Sequence, residues 1–164
     1  MTILDRQEIQ RGLHSIAAEQ RQVIEEKAAR QARMIEASVP QLARHPFIDD
    51  WQDRDTDMLV ERYRDLPCPA LGADGSCSLY AFRPLACRSM GIPVDSDGLV
   101  QGACAIQTSV PIIRLSPLLR HEENRLAGEE AEELARLRDR QSLEGEELLL
   151  PYAFLAEVRQ ASRQ

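Results

Sequence analysis

The stretch Cys68-Pro69-Ala70-Leu71-Gly72-Ala73-Asp74-Gly75-Ser76-Cys77-Ser78-Leu79-Tyr80-Ala81-Phe82-Arg83-Pro84-Leu85-Ala86-Cys87-Arg88 decides how this chain is read. Eight residues separate Cys68 from Cys77 and nine separate Cys77 from Cys87, while a fourth cysteine, Cys104, follows after sixteen more. The other 127 residues contain none, so the clustering needs a reason. The start of the chain, Met1 to Arg6, lacks the charged-then-apolar layout of a signal peptide, and no segment has the roughly 18 uninterrupted apolar residues of a spanning helix. A cytoplasmic, non-membrane location is therefore expected. In such a reducing compartment four clustered thiols point to metal ligation or redox chemistry before structural disulfides.

Four thiolates supply every ligand of a tetrahedral zinc or of a cubane cluster and imply no open coordination position. Cys68, Cys77, Cys87 and Cys104 are thus expected to hold one closed centre. Zinc sites commonly use C-x-x-C knuckles, which are absent here, whereas an iron–sulfur cluster collects sulfurs from more distant segments. That places an iron–sulfur cluster of the 4Fe–4S type slightly ahead of zinc. Pro84 suits the first position of a short helix, which puts Cys87 in a first turn where N–H groups and the dipole lower a thiol pKa. Arg83 and Arg88 bring positive charge to a centre that four thiolates leave negative, and Tyr80 is placed to donate its hydroxyl to a sulfur.

The string C-x-x-Y-x-x-R-P-x-x-C-R, from Cys77 to Arg88, together with the upstream Cys68-Pro69-Ala70-Leu71, resembles the signature of the YkgJ-type cysteine-cluster family. Members are described as zinc- or iron-chelating domains, so the resemblance implies chelation without choosing the metal. It covers residues 68 to 88 and fades outside them. Family members usually carry further cysteines upstream, often as an adjacent pair, and this chain has none between Met1 and Pro67. Either a single four-cysteine site remains, or Cys104 completes a rearranged one. A related cluster in flagellin lysine methylases suggests methyl transfer, but no cofactor-binding pattern accompanies it here.

Outward from this stretch, the fold expected is mainly α: one domain spanning 1–164, with helices in 1–66 and 106–164 flanking a small irregular cysteine-rich metal-binding module at 67–105. Residues 5 to 37 read as one long amphipathic helix with Ile9, Leu13, Ile16, Val23, Ile24, Ala28 and Ile35 on a stripe that Gln20 and Lys27 interrupt. This helix either packs on the domain or forms a coiled-coil arm. The acidic stretch Asp49 to Asp57 reads as a solvated loop leading into a helix from Asp55 or Thr56 to Leu66, which Pro67 ends. Ala73-Asp74-Gly75 reads as a turn. Ile92-Pro93-Val94 and Leu99-Val100-Gln101 read as a minor β-hairpin across Asp95 to Gly98, folding the chain back before Cys104. Ser116-Pro117 caps a helix with Leu118, Leu119, Leu126, Leu134 and Leu137 on its apolar side and a weak point at Gly128. The run Leu148 to Leu155 is apolar nearly all round, hence core or a face covered by another subunit.

Composition narrows the function classes. The net charge of -7, with arginines dispersed among carboxylates, argues against nucleic acid as a partner, and an aromatic content of 4% predicts an aliphatic core. No G-x-S-x-G, G-x-G-x-x-G or phosphate-loop string is present, so no enzyme activity is assigned. His14, His45 and His121 are scattered and read as surface or capping residues. The expected function is metal binding with a structural or redox role. Three rivals remain: an enzyme or accessory subunit in protein modification or redox transfer, with the centre as a staple; a helical adaptor that binds a protein partner or a second copy through the N-terminal helix or the 148–155 run; and a redox sensor.

Overall fold

A computed structural model describes residues 1–89, 93–96, 99–101 and 111–157. Six α-helices dominate them: α1 (Ile3–Ser15), α2 (Ala18–Ser38), α3 (Asp53–Tyr63), α4 (Leu85–Ser89), α5 (Pro117–Gln141) and α6 (Leu150–Ala153). Three short strands accompany them: β1 (Val94–Ser96), β2 (Leu99–Gln101) and β3 (Ile113–Arg114).

The single helix expected over 5–37 is two helices. Ile16 and Ala17 are extended at φ -100 ψ 167 and φ -58 ψ 144, so the chain turns between α1 and α2. Neither residue is a helix breaker. Tertiary packing supplies the reason: Ile9 and Leu13 of α1 and Ile24 and Ala28 of α2 enter the same core cluster, which one straight helix could not allow. The buried positions of α2, Ile24, Ala28, Ala32 and Ile35, keep helical spacing, whereas Val23 is 51% exposed. Both helices are therefore packed into the domain and are not a projecting coiled-coil arm. Thr2 caps α1, accepting from the Asp5 N–H at 3.2 Å while the Asp5 carboxylate accepts from the Thr2 N–H at 3.0 Å.

Two hydrophobic clusters make the core. One gathers Ile3, Ala32, Ile35, Leu42, Phe47, Leu59, Leu137, Leu148 and Tyr152. The other gathers Ile9, Leu13, Ile24, Ala28, Ala70, Leu79, Ala153 and Phe154. Aliphatic residues and alanine predominate, as the low aromatic content implies. The run 148–155 is core of this same chain, with Leu148, Tyr152, Ala153 and Phe154 all buried. α6 packs against α1 and α2. Gln10 Nε2 donates to the Ala153 and Leu155 carbonyls at 2.9 and 3.1 Å, and an Arg6 amino group donates to the Leu155 and Ala156 carbonyls, each at 3.0 Å. These bonds satisfy carbonyls that the end of α6 leaves without helical partners.

The acidic stretch is not simply a solvated loop. Asp49 accepts the Glu146 and Glu147 N–H groups at 2.8 and 3.1 Å, and the helix it precedes starts at Asp53 and ends at Tyr63. Beside it the Ile48 N–H donates to the Glu147 carbonyl at 3.0 Å, the Ile3 N–H to the Glu146 carbonyl at 2.8 Å and the Leu148 N–H to the Met1 carbonyl at 2.7 Å. One short segment thus pairs with both the chain start and the 47–49 region. Gly145 permits this approach, since a Cβ there would meet Phe47 Cβ at 2.6 Å.

The β-hairpin is present, with Val94 opposite Gln101 and Ser96 opposite Leu99, and β3 adds in parallel on the far side of β1. Its connecting residues, and Ile92, lie outside the described residues. Ser116 caps α5 by accepting from the Leu119 N–H at 3.3 Å, with Pro117 at the first helical position, and the helix runs through Gly128 without a break. The apolar side expected for α5 is buried only near its end: Leu137 is core and Leu134 packs on it, while Leu118, Leu119 and Leu126 are 78%, 54% and 51% exposed. Among the described residues no helix is long and apolar enough to cross a membrane.

Candidate functional site

After α3 the chain makes a turn in which the Leu71 N–H bonds the Cys68 carbonyl at 2.9 Å. It then loops back through Ala73–Gly75. Gly75 takes φ +79, a conformation that favours glycine, and the Asp74 carboxylate accepts from both the backbone N–H and the hydroxyl of Ser76, at 3.0 and 2.8 Å. Those two bonds, the hydroxyl one first, hold the Asp74 carboxyl below its ordinary pKa. The loop closes on an antiparallel bridge between Leu71 and Cys77, with the Ser78 N–H on the Ala70 carbonyl at 2.9 Å. A ten-residue excursion from Cys68 to Cys77 therefore ends beside its starting point.

The two cysteine segments are seated alike. Ala70, two residues after Cys68, and Leu79, two residues after Cys77, are both buried in the second core cluster, and Cys68 and Cys77 pack against its edge. α2 anchors the first segment from above. Gln31 Nε2 donates to the Pro67 carbonyl at 2.8 Å, and one helical turn earlier Lys27 Nζ donates to the Leu71 carbonyl at 3.3 Å. Lys27, which interrupts the apolar stripe of α2, thus serves the loop that carries Cys68. α1 anchors the second segment, since a Cβ on Gly12 would lie 2.8 Å from Phe82 Cβ.

Cys87 arrives on α4. The Pro84 carbonyl accepts from the Cys87 and Arg88 N–H groups at 3.0 and 3.1 Å, so Pro84 is the cap and Cys87 lies in the first turn. Arg83 donates to the Cys87 carbonyl and sets its guanidinium over the Tyr80 ring, 5.3 Å from its centre. Tyr80 is 68% exposed under that guanidinium. Arg88 Nε donates to the Arg83 carbonyl at 2.7 Å and its amino group to the Ala81 carbonyl at 3.1 Å.

Cys68, Cys77 and Cys87 are free thiols, each partly buried. Cys77 and Cys87 both raise the pKa of Cys68 by their charge, and Cys77 does the same to Cys87, so the three groups feel one another. Burial is the largest influence on both Cys68 and Cys87 and pushes their thiols up. For Cys68 backbone hydrogen bonding from Ala70 and Leu71 opposes that rise; for Cys87 the nearby Arg83 charge opposes it. The lowered Cys87 pKa expected from its place in a first turn is thus not found, because desolvation outweighs the Arg83 charge.

Among the described residues no group of three or more His, Cys, Asp or Glu side chains is arranged to hold a metal ion. Cys104 lies outside the described residues. Thiols are the donor type that suits a soft metal or an iron–sulfur cluster, and three partly buried ones stand here, one of them under the influence of the Arg83 charge. Cys68, Cys77 and Cys87 by themselves do not form a metal-holding donor set. The histidines contribute nothing here: all three are exposed, His14 bonding the Gln10 carbonyl at 2.7 Å and His45 pairing with Glu144 at 2.9 Å. A cavity of about 420 Å³ between α2 and α6, with Arg33, Glu36, Tyr152 and Glu157 in its wall, includes no cysteine. The sequence signalled the cysteines and arginines, whereas Lys27, Gln31 and Gly12, which seat the loops, lie 36 or more residues before the residues they contact. Compared with family models, with curated proteins and with solved structures, the chain matches none.

Proposed function

We propose that this protein binds one metal centre through Cys68, Cys77, Cys87 and Cys104, an iron–sulfur cluster ahead of zinc, in a structural or electron-carrying role. The observation that supports this best is the return of the chain from Cys68 to Cys77, closed by the Leu71–Cys77 bridge, with Cys87 following on α4 and all three thiols partly buried. These thiols come from a turn, a bridge and a short helix, and the charges of Cys77 and Cys87 both act on Cys68. Three partly buried thiols repel as they ionise, an arrangement with no benefit to folding and a clear one to chelation. The likeness to the YkgJ-type signature supports chelation in the same way. The preference for iron–sulfur rests on the wide spacing and the absence of C-x-x-C pairs.

In this reading Cys68 keeps its sulfur charge in check through the Ala70 and Leu71 N–H groups, and Arg83 balances charge at Cys87. A bound cluster would supply one-electron chemistry, and zinc would supply only a cross-link between segments. Either would tie the 67–89 region together on the edge of the second core cluster. Saturation by four sulfurs leaves no position for substrate, so a role in activating one at the metal is not part of the proposal.

Anaerobic purification followed by metal analysis and an absorption spectrum tests it. One cluster or one zinc per chain is the expected result, with broad absorbance near roughly 400 nm if thiolate-ligated iron is present. A chain that purifies without either metal and does not take one up on reconstitution would refute it.

A further inference from the structure

We infer that Arg88 is a positioning residue for Cys87, acting through the backbone and not through its charge, an inference that rests on the metal-centre reading above. Its guanidinium makes two bonds back along the chain. Nε meets the Arg83 carbonyl at 2.7 Å and an amino group meets the Ala81 carbonyl at 3.1 Å. One acceptor, Ala81, lies in the 3-10 turn Tyr80–Phe82, which follows Cys77, and the other, Arg83, in the connection from that turn to α4, which carries Cys87. Arg83 closes the clamp from the opposite side by donating to the Cys87 carbonyl. Each arginine thus bonds across the same bend, one reaching back along the chain and the other forward.

This bend needs such a clamp. α4 has only five residues, too few to be stable by its own hydrogen bonds. Pro84 before it is buried, but within it Leu85 is 67% exposed and Ala86 and Arg88 are exposed. The placement of Cys87 therefore depends on what crosses the bend. A planar guanidinium can engage two carbonyls at once in a fixed geometry, which an ammonium group cannot match although it carries the same charge. Arg88→Lys and Arg88→Gln consequently separate the two roles: a clamp fails in both, a charge survives in the first.

The test has two readouts on the full chain. With metal stripped by a chelator, alkylation of each cysteine is timed by peptide mass spectrometry in the parent protein, Arg88→Lys and Arg88→Gln. Loss of the clamp is expected to accelerate Cys87 roughly fivefold in both variants, about the effect of one net hydrogen bond. Cys68 keeps its parent rate and so reports any general loosening. With Co²⁺ as probe, the parent protein should show thiolate charge-transfer bands and both variants should bind more weakly. Arg88→Lys behaving as the parent in both readouts would overturn the inference, as would equal acceleration of Cys68 and Cys87. A parent protein that takes up no Co²⁺ would instead refute the metal-centre reading, leaving the alkylation rates to decide the clamp. Should Arg88→Gln fail to fold, Arg83→Lys provides the second test of the bend, with the same selective acceleration of Cys87 expected.

Discussion

Two glycines in helices should respond oppositely to the same substitution. In a helix interior, replacing glycine by alanine stabilises by about 1 kcal/mol through backbone entropy and propensity. At Gly128, midway along α5, a Cβ meets nothing within 4 Å, so the full gain of about 1 kcal/mol applies. At Gly12 the new Cβ would stand 2.8 Å from Phe82 Cβ and 3.0 Å from its Cγ. Those atoms sit next to the backbone and cannot swing away, so α1 or the 3-10 turn must shift. Overpacking of this kind costs about 1 to 3 kcal/mol, which offsets the propensity gain and leaves Gly12→Ala destabilised by about 1 kcal/mol. For a chain of 164 residues that separates the two variants by roughly 4 to 8 °C in Tm, one rising and one falling. Thermal melts followed by circular dichroism, with urea titrations to confirm unchanged m values, measure this directly. Since Phe82 lies between Cys77 and Cys87, Gly12→Ala should also weaken metal uptake while Gly128→Ala leaves it alone. Equal stabilisation by both substitutions would refute the close approach of α1 to the cysteine-bearing chain.

Other expectations follow from the same contacts. Leu13→Ala removes a fully buried side chain from the cluster on which Cys68 and Cys77 rest and should cost about 3 kcal/mol, read from chemical denaturation. Asp49→Ala should cost about 1 to 2 kcal/mol, because two backbone N–H groups of Glu146 and Glu147 lose a charged acceptor, and hydrogen exchange should quicken at those two amides. Metal uptake should release protons and tighten as pH rises: burial raises the Cys68 and Cys87 pKa values, so both are thiols at neutral pH and must ionise to bind. Calorimetric titrations in buffers of different ionisation enthalpy count those protons, and an affinity that falls with increasing pH would contradict the thiolate ligation.

What could be read in advance was mostly local. Ser116-Pro117 marks a helix start by its own chemistry, Ala73-Asp74-Gly75 marks a turn because Asp74 and glycine favour one, and the pairing of two short strands is legible although Asp95 and Ser96, which read as turn, belong to β1. What escaped depends on distance along the chain. No breaker sits at Ile16-Ala17, so the turn between α1 and α2 is visible only once both helices are seen to share a cluster. Asp49 reads as one carboxylate in an acidic loop until its partners 97 and 98 residues away are known. Leu118, Leu119 and Leu126 have helical spacing suited to a core that the first half of α5 does not reach. For the site, residue types pointed to Cys68, Cys77, Cys87 and Arg83. The spacing could not show that desolvation would outweigh Arg83 at the Cys87 thiol.

The number of sulfur neighbours around the bound metal is the most direct test, and X-ray absorption fine structure on the anaerobically isolated protein measures it. Ligation by Cys68, Cys77, Cys87 and Cys104 predicts a shell made wholly of sulfur, at about 2.3 Å, which falls short by one protein sulfur when any one of the four is changed to serine. A shell of nitrogen and oxygen, or one that a serine at any of these positions leaves untouched, would contradict it.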